Sequence, residues 1–447
     1  MVMEHRAIAC AFIALVTIPH AGETPLAVKF PLRASTNGRH LVDAGGNPFF
    51  YQADTPWMLL FRLTLPEAEE YLADRKAKGF SALQVMMTGF MGMENREGQA
   101  PFGADLDLSK PNEAFFAHAD KVIQKASDMG MLLMIAPLWS GCCGEGWAGR
   151  EQDGRLKPLN ANGPEKAYQW GRWLGERYGK HDNIAWLMGG DKDPGESHEL
   201  IRQLARGIHA AAPRQLMAVH NAPGNASAVF YNDQPWLSLN AAYTYEEVFK
   251  HILGEWQRTR PERPIFLAES GYEHESNDKR GGTPFRLRRQ AYGAILSGAL
   301  AGHAYGHREL WRVTDKWRES LQDTGSKQMA FVSRLFATRA WWKLEPEAAD
   351  ELVTQGRGKV GDDDYITAAR AADGSLAIVY LPTSRPLTVD LSRLGAPISA
   401  QWFDPTDASL KPVQGDALPN IGIHEFAPPE RNASGDSDWV LLLETTR

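Results

Sequence analysis

The stretch Pro264-Ile265-Phe266-Leu267-Ala268-Glu269-Ser270-Gly271 decides how the rest of the chain is read. Ile265, Phe266 and Leu267 form a short continuous apolar run, with Arg263 and Pro264 before it and Gly271 behind. A run of that length without polar alternation is expected of a parallel strand buried on both faces. Such a strand has no favourable place for a carboxylate along its length, so Glu269 is expected where the strand emerges. In a barrel of parallel strands that end carries the catalytic groups. Taken alone, Glu269 reads first as a solvated loop acid, and it needs a partner to mean more.

Outward from this run, a strand-helix rhythm repeats in both directions. Strands are expected at 49–53, 80–87, 131–137, 184–188, 216–219, 236–239, 265–268 and 303–305. Helices are expected between them, the first opening at Thr64 with Glu67 three residues on as a capping box. Others are read at 111–130, 165–179, 197–212, 245–256, 286–301 and 326–342. Alternation this long without a GxGxxG favours a (β/α)8 TIM barrel over a doubly wound sheet. A hairpin with turns at Asn37-Gly38 and Gly45-Gly46-Asn47 precedes it. After about 346 the pattern turns to short strands, such as 365–370 and 376–381 joined through Asp373-Gly374. The expected fold is therefore α/β: a signal peptide (1–22), an N-terminal segment and hairpin (23–48), a barrel (49–345) and a small antiparallel β-sandwich (346–447).

Charge excludes some partners. Acidic residues number 55 against 48 basic ones, a net charge of -7 spread along the chain, which argues against nucleic acid or an anionic membrane as the main partner. Fourteen tryptophans fit a carbohydrate ligand better, since flat indoles stack on sugar rings. At the N-terminus, His5-Arg6, an apolar run over 7–18 and Ala21-Gly22 have the layout of a secretory signal peptide, which predicts a secreted or periplasmic protein with no membrane segment after cleavage. Cys10 would leave with that peptide. Cys142 and Cys143 are adjacent, so a vicinal disulfide is open to them in an oxidising space.

Asp191 follows the fourth strand as Glu269 follows the seventh, three strand-helix units of roughly 25 to 30 residues apart. Two carboxylates facing each other over a pocket are what glycoside hydrolysis requires: one protonates the leaving oxygen, the other attacks carbon or activates water. Candidate sugar binders stand at the same strand ends: Asp54 and Trp57, Trp139 and Glu145, His220 and Asn221, and Tyr243. His303, Tyr305 and His307 join them from the last unit. Two imidazoles four residues apart would share a helix face and could ligate a metal, but the flanking Gly302 and Gly306 oppose a helix. No metal or other cofactor is expected, and hydrogen bonds from these histidines to substrate or to Glu269 are.

These residues carry a resemblance. The run Phe49-Phe50-Tyr51-Gln52-Ala53-Asp54-Thr55-Pro56-Trp57, then Pro137-Leu138-Trp139 with Cys142-Cys143-Gly144-Glu145-Gly146-Trp147, is similar to the apiosidase-like glycoside hydrolases of family 140. So are Ile184-Ala185-Trp186-Leu187-Met188-Gly189-Gly190-Asp191, Ala268-Glu269-Ser270-Gly271-Tyr272 and Gly302-His303-Ala304-Tyr305-Gly306-His307. The tail resembles the small β-domain, labelled collagen-binding, that follows the barrel in that family. The resemblance implies a barrel enzyme releasing apiose from the pectic polysaccharide rhamnogalacturonan II, with Asp191 as acid/base, Glu269 as nucleophile and Tyr272 beside the substrate. A retaining mechanism then predicts carboxyl groups about 5 to 5.5 Å apart. The rival readings are a glycosidase of another sugar specificity and a non-catalytic carbohydrate- or protein-binding barrel.

Overall fold

The computed structural model describes residues 28–258, 262–276, 281–413 and 417–445. The expected signal peptide, with Cys10, lies outside the described residues. Eight strands form one parallel sheet: β1 (Tyr51–Asp54), β2 (Ala82–Met86), β3 (Leu132–Ala136), β4 (Ile184–Gly189), β5 (Leu216–His220), β6 (Asn240–Tyr243), β7 (Ile265–Glu269) and β8 (Gly302–Tyr305). Their order is β5-β4-β3-β2-β1-β8-β7-β6, so the last strand pairs back onto the first and the sheet curls into a barrel. Between β5 and β6 the gap is bridged by Ser238, whose hydroxyl accepts from Met217 N at 2.7 Å, and by Leu239 N donating to Met217 O at 3.0 Å.

The helices α1 (Leu65–Ala77), α2 (Glu113–Asp128), α3 (Pro158–Tyr178), α4 (His198–Ala211), α5 (Val248–Arg258), α6 (Pro284–Leu296) and α7 (Thr324–Ala337) cover the outside. Thr64 and Glu67 close the capping box that starts α1. On β7 the two faces separate as a doubly buried strand requires. Ile265 and Leu267 pack on Val248, Ile252 and Ala294 of the helix layer, while the Phe266 ring meets Tyr51 with centroids 5.1 Å apart.

Several boundaries differ from the sequence reading, among them those of the sixth strand and of helix α3. The sixth strand is Asn240–Tyr243 rather than 236–239. Trp236, Leu237 and Leu239 are buried, as their apolarity suggests, but in the approach to the strand, where Trp236 packs on Tyr231. Polar Asn240 disguises the strand start, and its amide is spent on Ala228 N and Glu255. Helix α3 begins at Pro158, not 165, and kinks at Gly163, whose φ of 76° breaks it before Pro164.

A three-stranded antiparallel sheet (Arg33–Ala34, Leu41–Val42, Pro48–Phe49) precedes the barrel. After it come a six-stranded antiparallel sheet, centred on Leu376–Leu381 and Trp439–Thr445, and a three-stranded one of Val353–Gln355, Leu387–Asp390 and Ile423–Phe426. Val353, Val379, Val389 and Leu441 fill the core of this domain. Trp402 and Trp439 are buried in that core.

The domain is locked to the barrel through α6. Arg288, fully buried, holds Asp438 by two hydrogen bonds of 2.8 and 2.7 Å. Beside it Tyr292 stacks on Tyr380 at 4.9 Å, and Phe249 of α5 stacks on Tyr365 at 4.4 Å. Removing one partner of a buried ion pair strands the other charge. Asp438→Ala should therefore destabilise the protein by about 3–5 kcal/mol, read as a lowered denaturation midpoint; a loss below about 1 kcal/mol would mean that the pair does not hold the two domains together.

Candidate active site

Each of the two acids reaches the barrel mouth through a local departure from regular strand geometry. At the end of β4, Gly189, Gly190 and Asp191 take φ values of 79°, 139° and 51° in succession, a left-handed corner. Glycine is obligatory at 190, because a Cβ there would stand 2.4 Å from the Trp139 ring. Asp191 is held in this costly conformation from behind: its N–H donates to His220 Nδ1 at 3.4 Å, and Gly190 N–H donates to His220 O at 2.8 Å.

On β7 the device is a bulge. By strict alternation Glu269 would share the outward face of Ile265 and Leu267. Leu267 pairs with Ala242 but Glu269 with the next residue, Tyr243, so the register slips by one and the carboxylate is re-aimed toward the mouth. The freed Ala268 carbonyl accepts from Gln84 Nε2 at 2.8 Å.

The acids and one imidazole then meet. Asp191, His220 and Glu269 each offer an atom within 4.8 Å of the others. His220 Nε2 lies 3.3 Å from Glu269 Oε2, a charge contact too bent for a well-formed hydrogen bond. Because His220 Nδ1 accepts a backbone N–H, its proton is assigned to Nε2, facing Glu269. Tyr245 donates to Glu269 Oε1 at 3.0 Å, and Tyr243 donates to Tyr245 at 3.0 Å.

Burial pushes the Asp191 carboxyl up, the nearby Glu269 charge pushes it further, and His220 and Tyr243 only partly oppose them, leaving it at about 7. Burial alone would depress the His220 imidazole, but Glu269 and Asp191 outweigh it and raise it. One acid is therefore raised into the neutral range beside another that accepts from Tyr245 and faces His220.

Aromatic rings wall the pair. Trp139 and Trp57 lie 5.3 and 6.2 Å from the His220 ring and 5.1 Å from each other, and Trp57 Nε1 donates to Tyr272 at 2.9 Å. Tyr243 packs 4.6 Å from His220 on the other side.

The "Apiosidase-like, catalytic domain" profile matches residues 35–343. The chain belongs to the apiosidase-like family. A second profile, "Putative collagen-binding domain of a collagenase", matches 349–444. A solved glycoside hydrolase is 24% identical with a TM-score of 0.81, covering 94% of this chain and 99% of its own. A glycoside hydrolase family 5 protein from Bacteroides vulgatus ATCC 8482 is 23% identical, also at 0.81, covering 93% of this chain and 94% of its own. At those identities the likeness is one of fold. No curated protein matches the chain. Family membership makes this apiosidase-like protein a glycoside hydrolase.

Four of the residues expected to bind sugar are not brought to the mouth of the apiosidase-like barrel. Asp54, His303 and Tyr305 lie on the outward parity of β1 and β8. Asp54 accepts from Tyr71 at 2.6 Å and pairs with buried Arg75 of α1. Tyr305 donates to Glu273 at 2.6 Å, and Glu273 accepts the N–H groups of Gly325 and Ser326 at the start of α7. His303 is buried near Phe50, and burial lowers its pKa to about 4. His307 is clamped between Asp323 at 2.8 Å and Glu309 N at 3.0 Å.

Asn221 donates to Ala226 O at 2.9 Å, fixing the loop after β5. Glu145 stands at the rim, accepting from the N–H groups of Cys142 and Cys143, which are joined in a disulfide. Tyr245 is the functional residue that the sequence reading missed; it was assigned to the helix that follows, and the Tyr243-x-Tyr245 spacing was the available sign.

Three clusters have the composition of metal sites: Asp191, His220 and Glu269; His274, His307 and Asp323; Cys142, Cys143 and Glu145. Their donor chemistry does not fit. A ligating imidazole needs a lone pair on one nitrogen and a proton on the other. In both His220 and His307 the Nδ1 atom accepts a backbone N–H, so the remaining nitrogen carries the proton. The cysteines have no thiolate to offer.

The electrostatics can be titrated directly. In a carboxyl 13C titration Asp191 should show a midpoint near 7, and Glu269→Gln, which removes the repelling charge, should move it down. An ordinary carboxylate midpoint unchanged by Glu269→Gln would show that the two acids do not interact.

Proposed function

We propose that the chain is a secreted or periplasmic glycosidase that removes a terminal apiose, or a similar pentofuranoside, from a pectic polysaccharide such as rhamnogalacturonan II. The reaction would be a retaining double displacement of the family 140 type. The observation that carries the mechanism is the spacing of the acids. One carboxyl oxygen of Asp191 lies within 4.8 Å of one of Glu269, which supports the shorter spacing of retaining enzymes over the wider spacing of inverting ones.

In the first step a Glu269 oxygen attacks the anomeric carbon as the bond to the leaving oxygen breaks, and Asp191 gives that oxygen its proton. Tyr245 and His220 hold the attacking carboxylate in place. Once Glu269 is esterified its charge is gone, and with it the larger of the two charge repulsions that raise Asp191 beyond the effect of burial. The Asp191 pKa then falls, which suits its second task of taking a proton from the water that releases the sugar. Trp57 and Trp139, buried against the His220 ring, hold that imidazole in place beside the acids.

The apiose assignment rests on family membership and on the quoted motifs, and export rests on the composition of residues 1–22. The test is product analysis on apiose-containing glycosides, rhamnogalacturonan II side chains and a panel of other pentosides. Apiose release is expected, with activity falling as pH rises through about 7, where Asp191 loses its proton. Glu269→Gln should lower kcat by about 10³-fold or more with folding intact, the scale seen when a group acting only in the transition state is removed. Release of a different sugar would overturn the substrate; substantial turnover by Glu269→Gln would overturn the mechanism.

A further inference from the structure

Away from the acid pair, a cavity of ≈ 580 Å³ opens where the barrel meets the C-terminal sandwich. Its wall includes Asn37 and His40 of the N-terminal hairpin, Trp256 near the end of α5, Trp342 in the segment after α7 and Asp373 of the sandwich. Glu262 and Leu300 on the same wall precede β7 and β8, so the cavity lies at the strand starts, whereas Asp191 and Glu269 stand at the strand ends. Its size is that of a small-molecule site, and no step of the reaction uses it.

Three groups on this wall keep unused binding capacity. Trp342 is half-buried, and its Nε1 makes no hydrogen bond among the described residues. The buried Trp341 ring meets it at 88° with centroids 4.9 Å apart, and is itself anchored through Nε1 to Leu300 O at 3.3 Å, so the Trp342 indole is fixed where it borders the cavity. His40 is 8% exposed, yet its Nδ1 has no hydrogen-bond partner. Burial lowers its pKa, so the imidazole is neutral at pH 7 and has one donor and one acceptor. Asn37 Oδ1 accepts from Ser35 Oγ at 2.7 Å and Arg39 N at 3.1 Å, while its amide N–H groups have no partner among the described residues. Trp256 is less open, because Arg39 lies over its ring at 3.8 Å.

The cations on the wall are matched in place. Arg39 faces Glu262 at 3.6 Å and Lys343 holds Asp373 at 2.7 Å, so the cavity has no call for an anion. A flat indole, a neutral imidazole and an amide remain, groups that suit an uncharged polyhydroxylated ring by stacking and by hydrogen bonds.

We propose that this cavity is a second, non-catalytic carbohydrate site, which holds a neutral sugar chain against Trp342 at the far end of the barrel from the acids. It tethers the enzyme to a polymer and so raises the local concentration of substrate at the mouth. The site rests on the chain being a glycoside hydrolase, and not on which sugar the acids release.

Affinity electrophoresis through gels carrying arabinan, galactan or xylan tests it, with full-length Glu269→Gln protein so that no polymer is cut. At least one of these neutral polysaccharides should retard the protein, equally with and without added salt. Adding Trp342→Ala should weaken binding about tenfold, the scale of a lost stacking contact. In the otherwise unchanged enzyme, Trp342→Ala should leave hydrolysis of a small soluble glycoside as it was. Asn37 is exposed, so Asn37→Ala, expected to weaken retardation several-fold, decides the matter if Trp342→Ala does not fold. No retardation in any gel, retardation that salt abolishes, or retardation unchanged in either folded variant would overturn the site. None of these outcomes depends on turnover, so the site and the apiose assignment fail separately.

Discussion

The repulsion between two carboxylates whose oxygens lie within 4.8 Å is the constraint on which the rest of the site depends. Like charges at that distance in a buried place cannot both ionise freely, so one acid keeps its proton. Which one is decided by the neighbours. Glu269 has Tyr245 on one oxygen and His220 beside the other, whereas Asp191 Oδ1 is buried without a partner. The asymmetry assigns the proton to Asp191 and the charge to Glu269. His220 ties the two together, because the ring that faces one acid also accepts the backbone N–H of the other.

The scaffold supplies this pair by being irregular at two points. A left-handed corner after β4 and a bulge in β7 each turn a carboxylate that regular geometry would direct elsewhere. The cost of both is carried by a rigid surround: the Trp139 ring packed on Gly190, and Gln84 bonded to the Ala268 carbonyl that the bulge sets free. The C-terminal sandwich contributes from further off, clamping α6 through Arg288 and two tyrosine rings. Its own tryptophans are core, which fits a buttress better than an aromatic binding face.

The barrel was legible because its strands are apolar runs of the right length between helices with clear caps, and β7 stood at the position read for it. The sixth strand was misplaced because an apolar approach outweighs a strand that opens on asparagine. Within the site, residue type was legible and direction was not. Asp54, His303 and Tyr305 are polar residues at strand ends, as binders should be, but the period of two turns them outward onto α1 and α7 or into the layer beneath them. By the same period Glu269 would have faced away, and only the bulge, which leaves no mark in composition, brings it in. Tyr245 went unseen for the opposite reason, since it lies past a strand that had been placed too early.

The central claim is that Glu269 forms a covalent bond to the sugar while Asp191 handles the proton. Trapping tests it most directly, using a fluorinated apiofuranoside whose second step is slow, followed by peptide mass spectrometry. The account predicts one glycosyl adduct per chain, on the peptide that carries Glu269, and none in Glu269→Gln. An adduct on another residue, or turnover of the same compound with inverted product and no adduct, would contradict it.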